Sequence, residues 1–156
     1  MDPDFLHLDD VLRIHEDQIE QYGGSPDLRD AGLLASAVET PRVTFDGNLL
    51  HTDLFEIAAA YLFHIVQNHP FVDGNKRTGA AAALLFLDFN GIAIDIDDEA
   101  LVEHVLAVAQ GRIAKPEVAA FLRRHVAQWE ACQDAAPRRS AFFPVNVSQR
   151  CTITSQ

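Results

Sequence analysis

Residues 69–79, HPFVDGNKRTG, place one imidazole, one carboxylate and two cations between two apolar segments. A helix that begins at Gly74 or Asn75 leaves its first N–H groups without intrahelical partners. It also puts the positive end of its dipole there, so the start attracts anions. Gly74 lets a ligand approach the backbone, and Asn75, Lys76 and Arg77 add side-chain donors. Two of these donors are cations, which oppose the dipole of their own helix, and a bound anion relieves that conflict.

Histidine, whose reference pKa is ~6.5, suits the removal of a proton from a hydroxyl at neutral pH, and His69 is the natural candidate. Asp73 stands four residues on. A carboxylate beside a phosphate cradle is repelled unless it holds Mg²⁺ against phosphate oxygens or orients the attacking hydroxyl. Together these roles describe transfer from a nucleoside triphosphate to a hydroxyl of a protein or small molecule. Taken singly, each residue has a plainer reading: His69 as a helix-ending polar residue, Asp73-Gly74-Asn75 as a turn and cap, Lys76-Arg77 as a solvated first turn. GNKRTG lacks the Gly-Lys-Ser/Thr order of a P-loop. His51, His64 and His69 could suggest a metal site, but a buried His64 hydrogen-bonded in the core is the better reading.

The elements around this stretch read as helices. Val11, Leu12, Ile14, Ile19 and Tyr22 recur at helical spacing from Asp9 to Tyr22, with Gly23-Gly24 as a stop. A Ser25-Pro26-Asp27 turn follows, and Asp30 caps a second helix through Leu33, Leu34 and Val38 that ends before Pro41. Residues 41–51 read as loop. Thr52 or Asp53 caps LFEIAAAYLFHIVQN, apolar around most of its circumference and hence central, and Asp53 with Glu56 has capping-box spacing. Pro70 disfavours helix at His69. The next helix runs from Gly74 or Asn75 to Asn90 before Gly91, with alanines that permit a close neighbour. Ile92–Ile96 is partly extended, Glu99–Gln110 is helical, and Pro116 opens a last helix through Val118, Phe121, Leu122, Val126 and Trp129. The expectation is an all-α domain of about six helices over residues 1–130, with residues 131–156 as an irregular extension.

At 156 residues the chain fits one domain, since roughly 100 to 200 residues per domain is usual. The net charge of −11 opposes phosphate backbones and anionic lipid, so neither nucleic acid nor a membrane surface is the expected partner. Cys132 and Cys151 form no ligand-spaced pair, which fits a reducing cytoplasm. The acidic start MDPDFLHLDD lacks the marks of a secretory signal, and the apolar run Ala80–Leu87 is far short of the roughly 20 residues that span a bilayer.

With these residues in place, HPFVDGNKRTG resembles the signature of the Fic/Doc superfamily. GNKRT followed by an Ala/Leu-rich helix resembles its death-on-curing (Doc) branch, the toxins of type II toxin-antitoxin modules. IHEDQIEQYGGSPDLRDAGLLASAVETP, DLFEIAAAYLFHIVQNHPF and ALLFLDFNGI extend the similarity to roughly residues 8–125. The resemblance implies His69 as catalytic base, Phe71 as the loop's anchor in the core, and Asp73 as the residue that positions Mg²⁺ or the acceptor. Gly74, Asn75, Lys76 and Arg77, with Thr78 beside them, are implied as the phosphate site. Asp73, Lys76 and Arg77 join His69 in the catalytic set.

Typical Fic enzymes, which transfer AMP, have glycine in place of Lys76 and a second arginine in place of Ala80, so this chain sides with Doc. Lysine fills space that the AMP-transfer pose needs and adds charge near the transferred group. Pro70 and Gly74 are Fic-like, and Ala81 stands where Doc carries asparagine. The implied activity is transfer of the γ-phosphoryl group of ATP, with Mg²⁺, to a threonine of elongation factor Tu, blocking translation. The alternatives are AMP transfer to a protein hydroxyl and a catalytically silent Fic-fold binding module.

Self-inhibited Fic proteins carry an S/T-x-x-x-E-G/N helix. The nearest match, Thr52 to Glu56, is followed by Ile57 and enters the expected core helix. Inhibition is therefore expected from a separate antitoxin, through a segment that folds into an apolar groove. The pair Arg138-Arg139 is a lesser candidate partner site.

Overall fold

The computed structural model describes residues 2–127, which form a helical body with one very short hairpin. The helices are α1 (Leu8–Tyr22), α2 (Ala31–Glu39), α3 (Leu54–Asn68), α4 (Asn75–Phe89), α5 (Asp98–Ala109) and α6 (Lys115–Arg124). α3 is the hub: α4, α6 and α2 all pack on it, and α1 reaches α4. Ile57, Ala58, Tyr61, Leu62 and Ile65 of α3 are buried with Ala80–Ala83, Phe86 and Leu87 of α4. The small side chains of α4 let the two axes come close. At Gly79 a Cβ would lie 2.8 Å from Val66 Cγ2 and 3.2 Å from the Leu62 carbonyl oxygen, so only glycine fits there without displacement.

The starts of the helices follow their capping residues. Asp30 accepts from Leu33 N–H at 3.0 Å, and Asp53 accepts from Glu56 N–H at 2.9 Å. The Glu56 carboxylate accepts from Thr52, at its N–H (2.7 Å) and its hydroxyl (3.0 Å), so the returning half of the capping box falls one residue earlier than expected. Asp97, one residue before α5, accepts from Ala100 N–H at 3.4 Å.

Two expectations are corrected. Residues 41–51 are more than loop: a single 3-10 turn, Thr40–Arg42, leads to the hairpin of β1 (Thr44–Phe45) and β2 (Asn48–Leu49), in antiparallel register with Thr44 opposite Leu49. Asp46-Gly47, both at positive φ, makes the tight two-residue turn that suits twisted strands. The last helix stops at Arg124, and Val126 instead pairs in an isolated antiparallel bridge with Ile94. Ala127 N–H donates to the Ala93 carbonyl at 2.9 Å, and Asp95 N–H to that of His125 at 2.8 Å. The extended Ile92–Ile96 segment thus takes the chain that a longer helix would have used. Trp129 and the extension 131–156 lie outside the described residues. No helix among the described residues is long and apolar enough to cross a membrane.

Candidate active site

α3 ends at His69, which caps it in the left-handed region (φ 52°, ψ 52°). Pro70 excludes continued helix, and the left-handed turn brings the chain back towards α4. A non-glycine residue there costs on the order of 1 kcal/mol, and the surroundings hold it in place. Arg29 donates through Nε to the His69 carbonyl (2.7 Å) and through a terminal nitrogen to that of Asn68 (3.0 Å). The Pro70 carbonyl accepts from the N–H groups of Arg29 (2.8 Å) and Asp30 (2.9 Å), and Val72 N–H donates to Asp27 (3.0 Å). The turn before α2 is therefore a brace for the loop.

The next residues are locked from inside. Phe71 is 1% exposed, and its ring stacks on His15 of α1 with centroids 3.7 Å apart. His15 Nε2 lies 2.8 Å from the Asp73 carbonyl oxygen, a bond it makes as a donor. The Asn75 side chain accepts from Phe71 N–H and donates to its carbonyl, both at 2.9 Å. Asp73 Oδ1 accepts from Gly74 N–H at 2.8 Å. Across from this carboxylate lies Gly24, at φ +117°, where a Cβ would run into it.

α4 begins at Asn75 with no side chain capping its first turn, and Lys76 is exposed there. Lys76 has no hydrogen-bond or ion-pair partner among the described residues. Arg77 reaches back to the end of α1, donating to the carbonyls of Gln18 (3.1 Å) and Gly23 (3.0 Å), with its guanidinium 5.7 Å from the centre of the Tyr22 ring. α1 has no basic residue in its own last turn, and Arg77 supplies that charge from another helix.

These groups open on one cavity of about 690 Å³. His69, Asp73, Gly74, Asn75, Lys76 and Arg77 line one end, with Gln18 and Tyr22 of α1 beside them. It continues as an apolar groove between Ala80, Ala81 and Leu84 of α4 and Leu101, Val102, Val105 and Leu106 of α5. Two of the residues expected at the phosphate site have side chains turned elsewhere. Thr78 is fully buried and does not line the cavity, because the helical turn carries it to the core side of α4. The Asn75 amide accepts from and donates to Phe71, which holds its side chain against the loop, while its backbone N–H lies at the start of α4. Phe71 is buried where the loop needs an anchor.

Reading the sequence missed His15, Gln18, Gly24, Asp27 and Arg29. A signal for two of them exists. Val11, Ile14, His15 and Gln18, all buried, occupy the i, i+3, i+4, i+7 positions of one stripe on α1. Two polar residues on a buried stripe mark contacts to something polar beneath.

The other histidines serve different ends. His64, half-buried in α3, accepts from Lys115 Nζ at 3.3 Å; burial, then the neighbouring lysine charge, lowers its pKa to about 4. His51 is lowered by the same two causes. No group of three or more His, Cys, Asp or Glu side chains is gathered as a metal site among the described residues. A divalent ion at Asp73 would draw its other ligands from phosphate oxygens and water, which is the usual way Mg²⁺ is held beside nucleotides.

A cationic helix start, a capping histidine and the Asp73 carboxylate meet around one cavity, an arrangement with donors suited to an anionic ligand. Residues 5–87, more than half of the chain, match the Fic/DOC family, and the chain belongs to that family. It is 36% identical over 118 residues to protein kinase doc of Escherichia phage P1, spanning 74% of this chain and 90% of that one. It is 45% identical over 94 residues to the toxin Doc of Mycolicibacterium smegmatis, spanning 60% of this chain and 70% of that one. The chain is thus a homologue of a Doc protein kinase within the Fic/DOC family.

Proposed function

We propose that this protein is a Doc-type toxin that transfers the γ-phosphoryl group of ATP to a hydroxyl of a protein, a threonine of elongation factor Tu being the expected acceptor. The observation that carries the reading is Lys76. It is an exposed cation on the positive end of α4, and it lines the cavity that His69 and Asp73 also line. In the proposed step His69 takes the proton of the acceptor hydroxyl, whose oxygen forms a bond to the γ-phosphorus. The bond from that phosphorus to the β–γ bridging oxygen breaks, and ADP leaves. Lys76 and the first N–H groups of α4 stabilise the negative charge on the transferring group. Asp73 would hold Mg²⁺, which supplies charge neutralisation at the phosphates.

Arg77 has a double part. Its bonds to α1 fix the guanidinium in place, so that the charge it lends to the phosphate chain is already positioned. Ala80 and Ala81 leave room on α4 where a larger side chain would enter the cavity. The apolar groove between α4 and α5 suits an amphipathic antitoxin segment, with anchors three and four residues apart. Glu56, held by Thr52, is committed to capping α3, which accords with inhibition by a separate chain.

The test is incubation with elongation factor Tu, and separately with a cytosolic extract, using ATP labelled at the γ- or the α-position. Label from the γ-position alone is expected, and label from the α-position alone would replace the reading with AMP transfer. His69→Ala is expected to lower transfer by roughly 100- to 10,000-fold, the range for a lost general base. Growth inhibition by His69→Ala equal to that of the unaltered chain would favour the silent binding module.

A further inference from the structure

We infer that Gln18 is a nucleotide-contact residue, whose side-chain amide donates to a phosphate oxygen beside Lys76 and Arg77. This rests on the phosphotransfer reading and adds to the site a residue from outside the motif. Gln18 stands on the buried stripe of α1, is 2% exposed and lines the cavity at its charged end. Its Nε2 is buried and has no hydrogen-bond partner among the described residues.

A stranded donor of this kind destabilises a fold, and few are kept without a use. Methionine would fill nearly the same space with no N–H to satisfy, so packing alone does not account for glutamine here. The position adds a second argument. The main-chain carbonyl of Gln18 holds Arg77 at 3.1 Å, so the amide and the guanidinium are tied to the same residue and face the same end of the cavity. The terminal torsion of a glutamine is broad, and a turn about it delivers the N–H pair to an oxygen in the cavity. A neutral donor suits a phosphate site that already has two cations. The carbonyl that holds Arg77 belongs to the backbone, so substitutions of the Gln18 side chain leave that bond in place.

The experiment measures binding of Mg·ATP and of tripolyphosphate to the full chain by calorimetry, with thermal unfolding alongside, for the unaltered protein, Gln18→Met and Gln18→Glu. Gln18→Met is expected to unfold no earlier than the unaltered chain, yet to bind both ligands roughly 10-fold more weakly, in line with one lost hydrogen bond to a charged group. Gln18→Glu should bind them more weakly still, because its carboxylate repels phosphate. Unchanged affinity for both ligands in Gln18→Met overturns the inference and leaves the phosphotransfer reading standing. Weakened ATP binding with unchanged tripolyphosphate binding also overturns it, by moving the contact to the nucleoside. If the unaltered chain binds neither ligand, the phosphotransfer reading fails first and this inference with it.

Discussion

The chain enters α3 through residues 43–53, which carry the hairpin, and leaves it through 69–74, and the two segments are held to different degrees. On the exit side, Arg29, His15, Asn75 and the backbone of residues 27–30 all bond to the main chain of the loop. On the entry side, Phe45 of the hairpin is 78% exposed and Leu50 beyond it 58% exposed, while Leu49 packs on the core and Asp53 pairs with Arg123 at 2.6 Å. Both segments are rich in polar and turn-forming residues, yet only one is over-determined. The loop whose atoms must keep their positions to within a fraction of an ångström has partners from α1, from the turn before α2 and from α4. The hairpin rests on two bridged pairs and on the packing of Leu49.

The contrast can be broken most sharply at Asn75. Asn75→Ala leaves the Phe71 N–H and carbonyl buried without partners. It should cost about 3 kcal/mol, at about 1–3 kcal/mol for each stranded group. Phosphotransfer should fall by at least tenfold even where the variant is folded, as urea titration paired with the γ-label assay would show. Retention of full stability would mean that the loop is not held from within. Arg29→Ala removes the outer brace, whose bonds lie near the surface. A loss of about 1 kcal/mol and a smaller fall in turnover are expected. An effect on activity as large as that of Asn75→Ala would place the main restraint on the α2 side.

The pH dependence of stability tests the body at a point away from the loop. His64 has a folded pKa of about 4 against the ordinary histidine value of 6.5, so between those values the unfolded chain binds more protons. Its contribution is fully present above pH 6.5 and is lost as pH falls towards 4, with no further loss below. The lowered pKa values of His51 and His104 work in the same direction. His64→Gln should flatten part of this slope in denaturant titrations from pH 7 to 4, and an unchanged slope would assign it to other groups. The smallest effect is expected at the hairpin: Phe45→Ser should alter stability by no more than about 0.5 kcal/mol, as for exposed sites. ATP binding should be unaltered. A large loss of either would show that the entry segment is as tightly held as the exit.

Much of the fold was legible because helices announce themselves locally. Asp30, Asp53 and Gly91 mark boundaries through bonds or conformations within a few residues, and the apolar circumference of α3 follows from its composition. The hairpin was harder to read: Asp46-Gly47 is a strong turn signal, but its two-residue strands are too short for alternation to register. The end of α6 was harder again, since nothing near Val126 tells the chain to pair with Ile94, 32 residues away (126 − 94).

In the candidate site the sequence by itself determined the chemical types and their order: His69, Asp73, Lys76 and Arg77 at the junction of two core helices. It also determined that α4 would start with unpaired N–H groups beside two cations, because caps and dipoles are properties of adjacent residues. Only the tertiary structure decided which of those groups face the cavity. It turned Thr78 into the core, committed Asn75 to Phe71 and tied Arg77 to α1. It also brought Gln18 to Arg77 and His15 under Asp73, partners 59 and 58 residues apart in the chain. Such contacts follow from how α1 packs against α4, and no local spacing encodes the angle at which two helices meet.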